Sequence, residues 1–511
     1  MPSEDNKRIA KNTMFLYFRM LFSMGVGLYA SRIILTVLGV ENYGIYNVVG
    51  GLVAMFSLLN GSLSTATQRF LTFELGTGNK DRLKKIFSTS LNVLFVISLL
   101  IIVLAETVGL WFLNVKMDIP EGRMNAANWV YQISLITFVL NVVSVPYNAA
   151  ITAHENFKTY SQISIFEVAL KLGVVLFLKI SMSVDKLILY SFLLLGIAIV
   201  IRLIYGFYCT RHYEECKYSR KIDIPLLKEM FSFSAWSFIG STGYLFKTQG
   251  INMILNMFFG VFVNAAQGIA NQITNAVTAF VDSFTTAVNP QITKSYASKN
   301  YDEMTRLVFY SMRFSFFMML ILIVPVFTET EYILNLWLNQ VPQYSVIFTQ
   351  LVMLNTLINI LANPMGIMTN ATGKIAVYNC IIGGWSYMIV ILSYLFFKFG
   401  NNIPQTALMI SCIISVVSLF SRILLLKKIL VSFSIKKFFL DVIVKVTIVS
   451  ISTVISLIIF RTFIFSYIKL PLFHIFIAIL VTILFIWFLG TKQQERVILS
   501  KKIVDKIYSK K

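Results

Sequence analysis

Within long apolar runs stand Arg19, Arg32, Lys171, Arg202, Lys247, Arg313, Arg422 and Lys445, with Glu106, Glu167, Asp282 and Asp441 as the acidic residues among them. A charge left in hydrocarbon costs at least about 2.5 kcal/mol at mid-depth, so each of these side chains must be paired, moved to an edge, or used. Glu167 with Lys171 and Asp441 with Lys445 are four apart, a spacing that puts both members on one helix face and lets them neutralise each other. Arg202 and Arg422 lie near the ends of their runs, where a long side chain reaches the interface. Arg19, Arg32, Lys247 and Arg313 have no acid at helical spacing. Guanidinium and ammonium groups so placed replace the water that phosphate oxygens lose, which makes these four candidate binding residues for an anionic ligand. Arg32 and Arg313, close to opposite ends of their runs, suit interface anchors equally well.

A second constellation is uncharged. Ser241, Thr242, Thr248, Gln249, Asn252, Asn256, Asn264, Gln267, Asn271, Gln272 and Asn275 accompany Lys247 in one stretch, too many polar groups for surfaces that meet lipid. Asn264, Gln267, Asn271 and Asn275 recur at helical spacing, so the stripe reads either as the lining of a cavity for a hydroxyl-rich ligand or as interhelical hydrogen bonding. Catalytic patterns are missing from the sequence: His154, His212 and His474 are scattered, Cys209, Cys216, Cys380 and Cys412 lack metal-ligand spacing, and there is no P-loop or GxGxxG after a strand. The expectation is a protein that is not an enzyme, with no catalytic residues, no metal and no cofactor.

The elements that must position these side chains are helices spanning a bilayer. Of 511 residues 57% are hydrophobic and 13% charged, and the apolar residues come in runs of about twenty, the length that crosses a hydrocarbon core of about 30 Å. The fold class expected is all-α and polytopic, with about fourteen spans: 12–38, 43–66, 88–113, 129–150, 160–178, 187–207, 233–258, 263–287, 308–327, 347–368, 376–397, 405–425, 438–460 and 472–490. The first is read as a retained helix rather than a signal peptide, because it is long, carries Arg19 and Arg32 and lacks a small-residue cleavage site. The net charge of +21 is explained by topology rather than by nucleic acid. With the N-terminus inside, most of the 44 lysines and arginines, among them Lys80, Arg82, Lys84, Lys85, Lys427, Lys428, Lys436 and Lys437, fall on one side. Lys116, Arg123, Lys179, Lys186, Lys398, Arg461 and Lys469 are left on the other. That bias puts both termini in the cytoplasm and leads one to expect contacts with anionic phospholipid headgroups.

The chain also repeats itself. At an offset of 221, Ser62, Thr65, Ala66, Thr72, Asn79 and Asp81 meet Ser283, Thr286, Ala287, Thr293, Asn300 and Asp302, and Gly39-Val40 meets Gly260-Val261. At 218, Asn141, Pro146, Ala153 and Tyr160 meet Asn359, Pro364, Ala371 and Tyr378. Six spans separate the copies, an even number, so both enter the membrane in the same sense, as two parallel six-helix repeats able to rock about a central cavity. The expected organisation is an N-terminal six-helix lobe over 1–221, a C-terminal six-helix lobe over 222–432, and two additional helices with a basic tail over 433–511.

Arg32-Ile-Ile-Leu-Thr-Val-Leu-Gly39-Val-Glu-Asn-Tyr-Gly44-Ile-Tyr46 and Ser64-Thr-Ala-Thr-Gln-Arg69-Phe70 closely resemble the first two helices of the bacterial polysaccharide and O-antigen flippases, members of the multidrug/oligosaccharidyl-lipid/polysaccharide exporter superfamily. Lys247-Thr-Gln-Gly-Ile-Asn-Met-Ile-Leu-Asn256-Met-Phe-Phe-Gly260 and Asn289-Pro290-Gln-Ile-Thr-Lys294-Ser-Tyr296 resemble the same family, and the likeness runs from about Lys7 to the end of the fourteenth span. The resemblance implies transport of an undecaprenyl-pyrophosphate-linked oligosaccharide, an O-antigen or capsule repeat unit, from the inner to the outer leaflet of the bacterial plasma membrane by alternating access. It points to polysaccharide polymerase and glycosyltransferases as partner enzymes. Many relatives carry an acid in the seventh helix where Gln249-Gly250 follows Lys247 here, which departs from acid-based cation coupling. A lipid II flippase of peptidoglycan synthesis would share the architecture and a cationic cavity, whereas a multidrug cation antiporter would want acids or aromatic cages. The outer loops, about 114–128 and 328–346, are too short for a polymerase or glycosyltransferase domain.

Overall fold

The computed structural model describes residues 2–496, apart from 55–56, 116, 118, 120, 182–184, 220–222, 339–340, 401–402, 431–432, 464–469 and 494. The side chain of Asn264 and the charges of Lys116, Arg220, Lys221, Lys469 and the tail beyond 496 lie outside the described residues. The helices are α1 (Pro2–Ala54), α2 (Ser57–Thr77), α3 (Lys80–Val115), α4 (Met124–Ala153), α5 (Phe157–Ile180), α6 (Lys186–His212), α7 (Ile224–Ala297), α8 (Tyr301–Thr328), α9 (Thr330–Trp337), α10 (Ser345–Thr372), α11 (Ala376–Lys398), α12 (Thr406–Ile429), α13 (Ile435–Phe463) and α14 (Pro471–Gly490). No strand occurs among the described residues.

The expected spans map onto these helices with two fusions. The first two share α1, whose arms meet at Gly39 (φ 77, ψ 166), and α2 carries the second onward; the seventh and eighth share α7, broken at Gly260 (φ 79, ψ −173). Both glycines occupy a region of backbone space essentially closed to residues with a Cβ, so the chain turns there without a loop. Counting each arm, the described chain contains the fourteen expected segments, and 10 helices are individually long and apolar enough to cross a membrane. The protein is a multi-pass membrane protein.

Helix starts follow local chemistry. Asn79 accepts from Arg82 N at 3.0 Å, Asn156 from Thr159 N at 3.3 Å, and Asp223 from Leu226 N at 3.1 Å, each satisfying an N–H that the first turn leaves open. Within the spans, Ser and Thr hydroxyls return to the carbonyl four residues back, as Ser90 does to Ile86 O (2.8 Å) and Thr453 to Val449 O (2.8 Å), so they need no partner from lipid. Phe95, Leu99, Val103 and Leu104 on α3 and Ile448, Ile451, Ile455 and Ile458 on α13 are exposed, as expected of faces that meet acyl chains.

The repeat read in the sequence recurs in the backbone. Besides Gly39 and Gly260, positive φ occurs at Gly78 and Lys299, again 221 apart, and at Glu155 and Gly373, 218 apart. Pro146 and Pro364 sit inside α4 and α10 in the same register. Duplicated sequence has kept duplicated turns.

Contacts divide the chain into two compact units. Unit 1 comprises 1–242 with 286–300 and 370–380, so it includes the end of α7 and the α10–α11 turn. Its larger cores join Phe70, Phe87, Tyr147, Ile201 and Phe233, and Tyr131 with Ile101, Leu113 and Val130. Unit 2 comprises 243–285, 301–369 and 381–511, with a core around Leu255, Ala266, Phe348, Val390 and Phe397. In unit 2 the two added helices pack on α8; His474 Nδ1 of α14 meets Glu329 Oε1, just after α8, at 2.7 Å, and Arg313 of α8 pairs with Glu495, beyond α14.

Candidate functional site

In unit 1, Arg19 is half-buried with its guanidinium 4.9 Å from the Tyr160 ring centroid, while Arg32 is exposed. No carboxylate among the described residues forms an ion pair with either. In unit 2, the half-buried Lys247 donates from Nζ to Asn355 Oδ1 at 3.1 Å. Asn359 Nδ2 donates to the same oxygen at 2.8 Å, and Asn355 Nδ2 donates to Ser415 Oγ at 2.9 Å. The ammonium is thus held by one neutral amide on α10, itself bonded to Asn359 and to Ser415 of α12, and among the described residues no carboxylate forms an ion pair with it.

The amide stripe is less unified. Gln267 is buried and donates to Asn271 Oδ1 at 3.3 Å, Asn252 donates to Gln249 Oε1 at 3.4 Å, and Asn256 is exposed. Among the described residues the buried Asn252 Oδ1 and Gln267 Oε1 accept no hydrogen bond, which leaves two acceptors for a ligand or water. Arg313 is buried and its charge is met by Glu495, a partner 182 residues away that helical spacing could not reveal. Glu167 and Lys171 pair as expected, at 2.6 Å. Asp441, however, meets Lys492 at 2.8 Å rather than the expected Lys445, because the segment after α14 returns to the start of α13. Glu106 accepts from Gln132 Nε2 at 3.1 Å, beside a π-turn at Ala105–Gly109 whose first carbonyl accepts from Tyr131 Oη at 2.8 Å. Arg202 stacks 4.0 Å from the Tyr147 ring centroid.

The face of unit 1 that carries Arg8, Lys80, Arg82, Lys294 and Lys374 holds two joints that spacing alone did not single out. In the first, Glu155, in the turn after α4, is almost fully buried and accepts from Arg8 Nε (2.9 Å), Lys294 Nζ (2.7 Å) and Gln291 Nε2 (3.2 Å). In the second, Arg69 on α2 donates from Nε to Asn370 O and from Nη2 to Ala371 O, both at 3.2 Å, with the rings of Phe70, Phe73 and Phe233 4.6, 4.9 and 5.6 Å from its guanidinium carbon. Thr152, Ala153 and Glu155 correspond in the repeat to Asn370, Ala371 and Gly373. Each repeat therefore presents the same turn, and the turn is gripped by the α2 end or the α7 end of the other repeat.

Connecting loops are tied by charge as well. Glu215 meets His154 Nε2 at 2.5 Å; burial opposes ionisation of this carboxyl, but His154 and a backbone N–H outweigh it and hold it below the usual carboxylate range. Asp185 caps α6 and takes a two-pronged contact from Arg123 (2.6 and 3.1 Å), whose hydrogen bonds hold it below its ordinary value despite partial burial. No group of three His, Cys, Asp or Glu able to hold a metal ion occurs among the described residues.

Comparison with known proteins adds to this geometry. The family model described as polysaccharide biosynthesis protein matches residues 9–296, and the MatE model matches 244–395. No curated protein matches in sequence. Among solved structures, a MATE in the straight conformation superposes with a TM-score of 0.71 at 12% identity, covering 83% of this chain and 97% of that one. An outward-facing multidrug resistance MATE family transporter of the MOP superfamily gives 0.69 at 13%, covering 81% and 94%. A MOP superfamily transporter from Pyrococcus furiosus, described as having a binding pocket of reversed polarity, gives 0.64 at 12%, covering 82% and 96%. These likenesses are of fold.

Proposed function

The chain belongs to the polysaccharide biosynthesis protein family of MOP superfamily transporters, and from that premise we propose that it flips an undecaprenyl-pyrophosphate-linked oligosaccharide from the inner to the outer leaflet of the bacterial plasma membrane, with both termini cytoplasmic. The family match over 9–296 carries this reading. The character of the buried charge supports it. Arg19, Arg32 and Lys247 lie within expected spans with no ion-pair partner among the described residues, and Arg19 and Lys247 belong to corresponding helices of the two repeats. Cations set among neutral amides and an aromatic ring suit a pyrophosphate, while Asn252, Asn256, Gln267 and Asn271, with Asn264 in the same stripe, suit sugar hydroxyls. Arg313, held by Glu495, would act on substrate only if that pair opens.

The free energy for outward movement can come from the membrane potential. An inside-negative potential favours outward transfer of an anion by about 2.3 kcal/mol per charge per 100 mV, and a pyrophosphate carries roughly two charges. A second reading, a multidrug cation antiporter, is favoured by the MatE match over 244–395.

Proteoliposomes holding the lipid-linked oligosaccharide, scored by access of an external sugar-modifying enzyme, separate the two. The expected result is voltage-sensitive flipping by the wild type, lost in Lys247→Ala and Arg19→Ala while the protein remains folded. Movement of organic cations with no effect on the lipid would select the antiporter.

A further inference from the structure

A cavity of about 370 Å³ opens beside the Arg69 joint, wholly within unit 1. Its size falls within the range of small-molecule sites, about 300–1,000 Å³. Trp236 and Phe233 supply aromatic wall, Glu229 and Ser232 line it from the same helix, α7, and Arg69 and Lys374 complete it from α2 and the α10–α11 turn. The two carbonyl bonds of Arg69, which lines the cavity, use two of the five N–H groups that a guanidinium offers. Among the described residues Glu229 forms one ion pair, a weak one from its Oε2 to Arg82 Nη2 at 3.6 Å, and its side chain is exposed.

The mixture of signs restricts the ligand. A phosphate would meet the Glu229 carboxylate, and an organic cation would meet Arg69 and Lys374. A neutral ring bearing hydroxyls can donate to Glu229, accept from Arg69 and Lys374, do both with Ser232, and lay its apolar face on Trp236. Resting on the function proposed above, we propose that this cavity is a sugar subsite on the cytoplasmic face, where the saccharide of the lipid-linked substrate docks before the lobes exchange access. The subsite selects the sugar, while the intramembrane cations hold the pyrophosphate.

The test uses the full-length protein in nanodiscs and compares its binding of two probes: bare undecaprenyl pyrophosphate, and the same lipid carrying one N-acetylhexosamine or one neutral hexose. The expected result is about tenfold tighter binding of at least one glycosylated lipid. Glu229→Gln and Trp236→Ala should each reduce that ratio towards one without changing affinity for the bare lipid, and Trp236→Phe should restore most of it. Because Trp236 packs against a core, Glu229→Gln, an exposed position, carries the test if Trp236→Ala lowers the melting temperature. A ratio that survives both substitutions, or a wild type that binds all the lipids equally, overturns the subsite while leaving the flippase reading standing. Loss of bare-lipid affinity in Glu229→Gln would instead mark a headgroup site and also overturns it. Failure of the wild type to bind any of these lipids overturns both.

Discussion

The two joints on the basic face of unit 1 occupy equivalent places in the repeat and are built differently. At one, Glu155 stands in the left-handed region (φ 58) and its side chain collects Arg8, Gln291 and Lys294. At the other, Gly373 takes the same backbone conformation (φ 76) with no side chain, and the guanidinium of Arg69 fills the space instead. A Cβ on Gly373 would lie 2.9 Å from Arg69 Nη2. Duplication thus preserved the turn and released its chemistry. One joint depends on charge neutralised in a buried place, the other on the fit of a planar cation to two carbonyls and three rings. If these joints part when the lobes rock, the first contributes an electrostatic barrier and the second a steric and directional one.

The largest effect is expected from Glu155→Ala, which leaves Lys294 without its carboxylate. The cations left behind keep access to solvent, so the loss is that of the charge-assisted hydrogen bonds, about 2–3 kcal/mol, and a clear fall in the melting temperature of detergent-purified protein should follow; an unchanged value would mean that the charge joint holds nothing. Gly373→Ala should cost about 1–2 kcal/mol, from positive φ and from contact with Arg69. Combining it with Arg69→Ala should relieve the steric part, so the pair should be less than additive in the same melting assay. Arg69→Lys should cost about 1 kcal/mol, because a point charge cannot reproduce two directed bonds and a stacked plane.

The smallest effect serves as a control away from both joints. The pKa of Asp185 is depressed in the folded protein, so its contribution is present above the unfolded carboxylate value and is lost as pH falls through the folded one. Asp185→Asn should therefore remove a modest acid-dependent component of stability, read from melting curves between pH 6 and pH 3. A similar acid response in the Asp185→Asn protein would assign that component elsewhere.

Periodicity and composition made the helical class legible, because apolar runs of bilayer length admit few other structures. The duplication was legible because glycine, proline and capping residues recur where the backbone demands them: Gly39 and Gly260 mark the two loopless turns, and Pro146 and Pro364 mark the same place in α4 and α10. The i,i+4 pair Glu167–Lys171 was legible for the same local reason. Asn355 and Ser415 were missed, although their neighbour Asn359 had appeared in the repeat; a further polar residue one turn before it was the available signal.

The amino-acid sequence by itself determined the membrane-spanning class, the number of helical segments, the duplicated turns and the surplus of positive charge, since each rests on interactions between residues within a few positions of one another. Tertiary structure decided which charges remain for a ligand. Arg313 was joined to Glu495, Asp441 to Lys492 and Lys294 to Glu155 across separations that no local period encodes, whereas Lys247 was left on a neutral amide. In a low-dielectric interior a charge is defined by its nearest partner, and that partner is known only once the helices have packed.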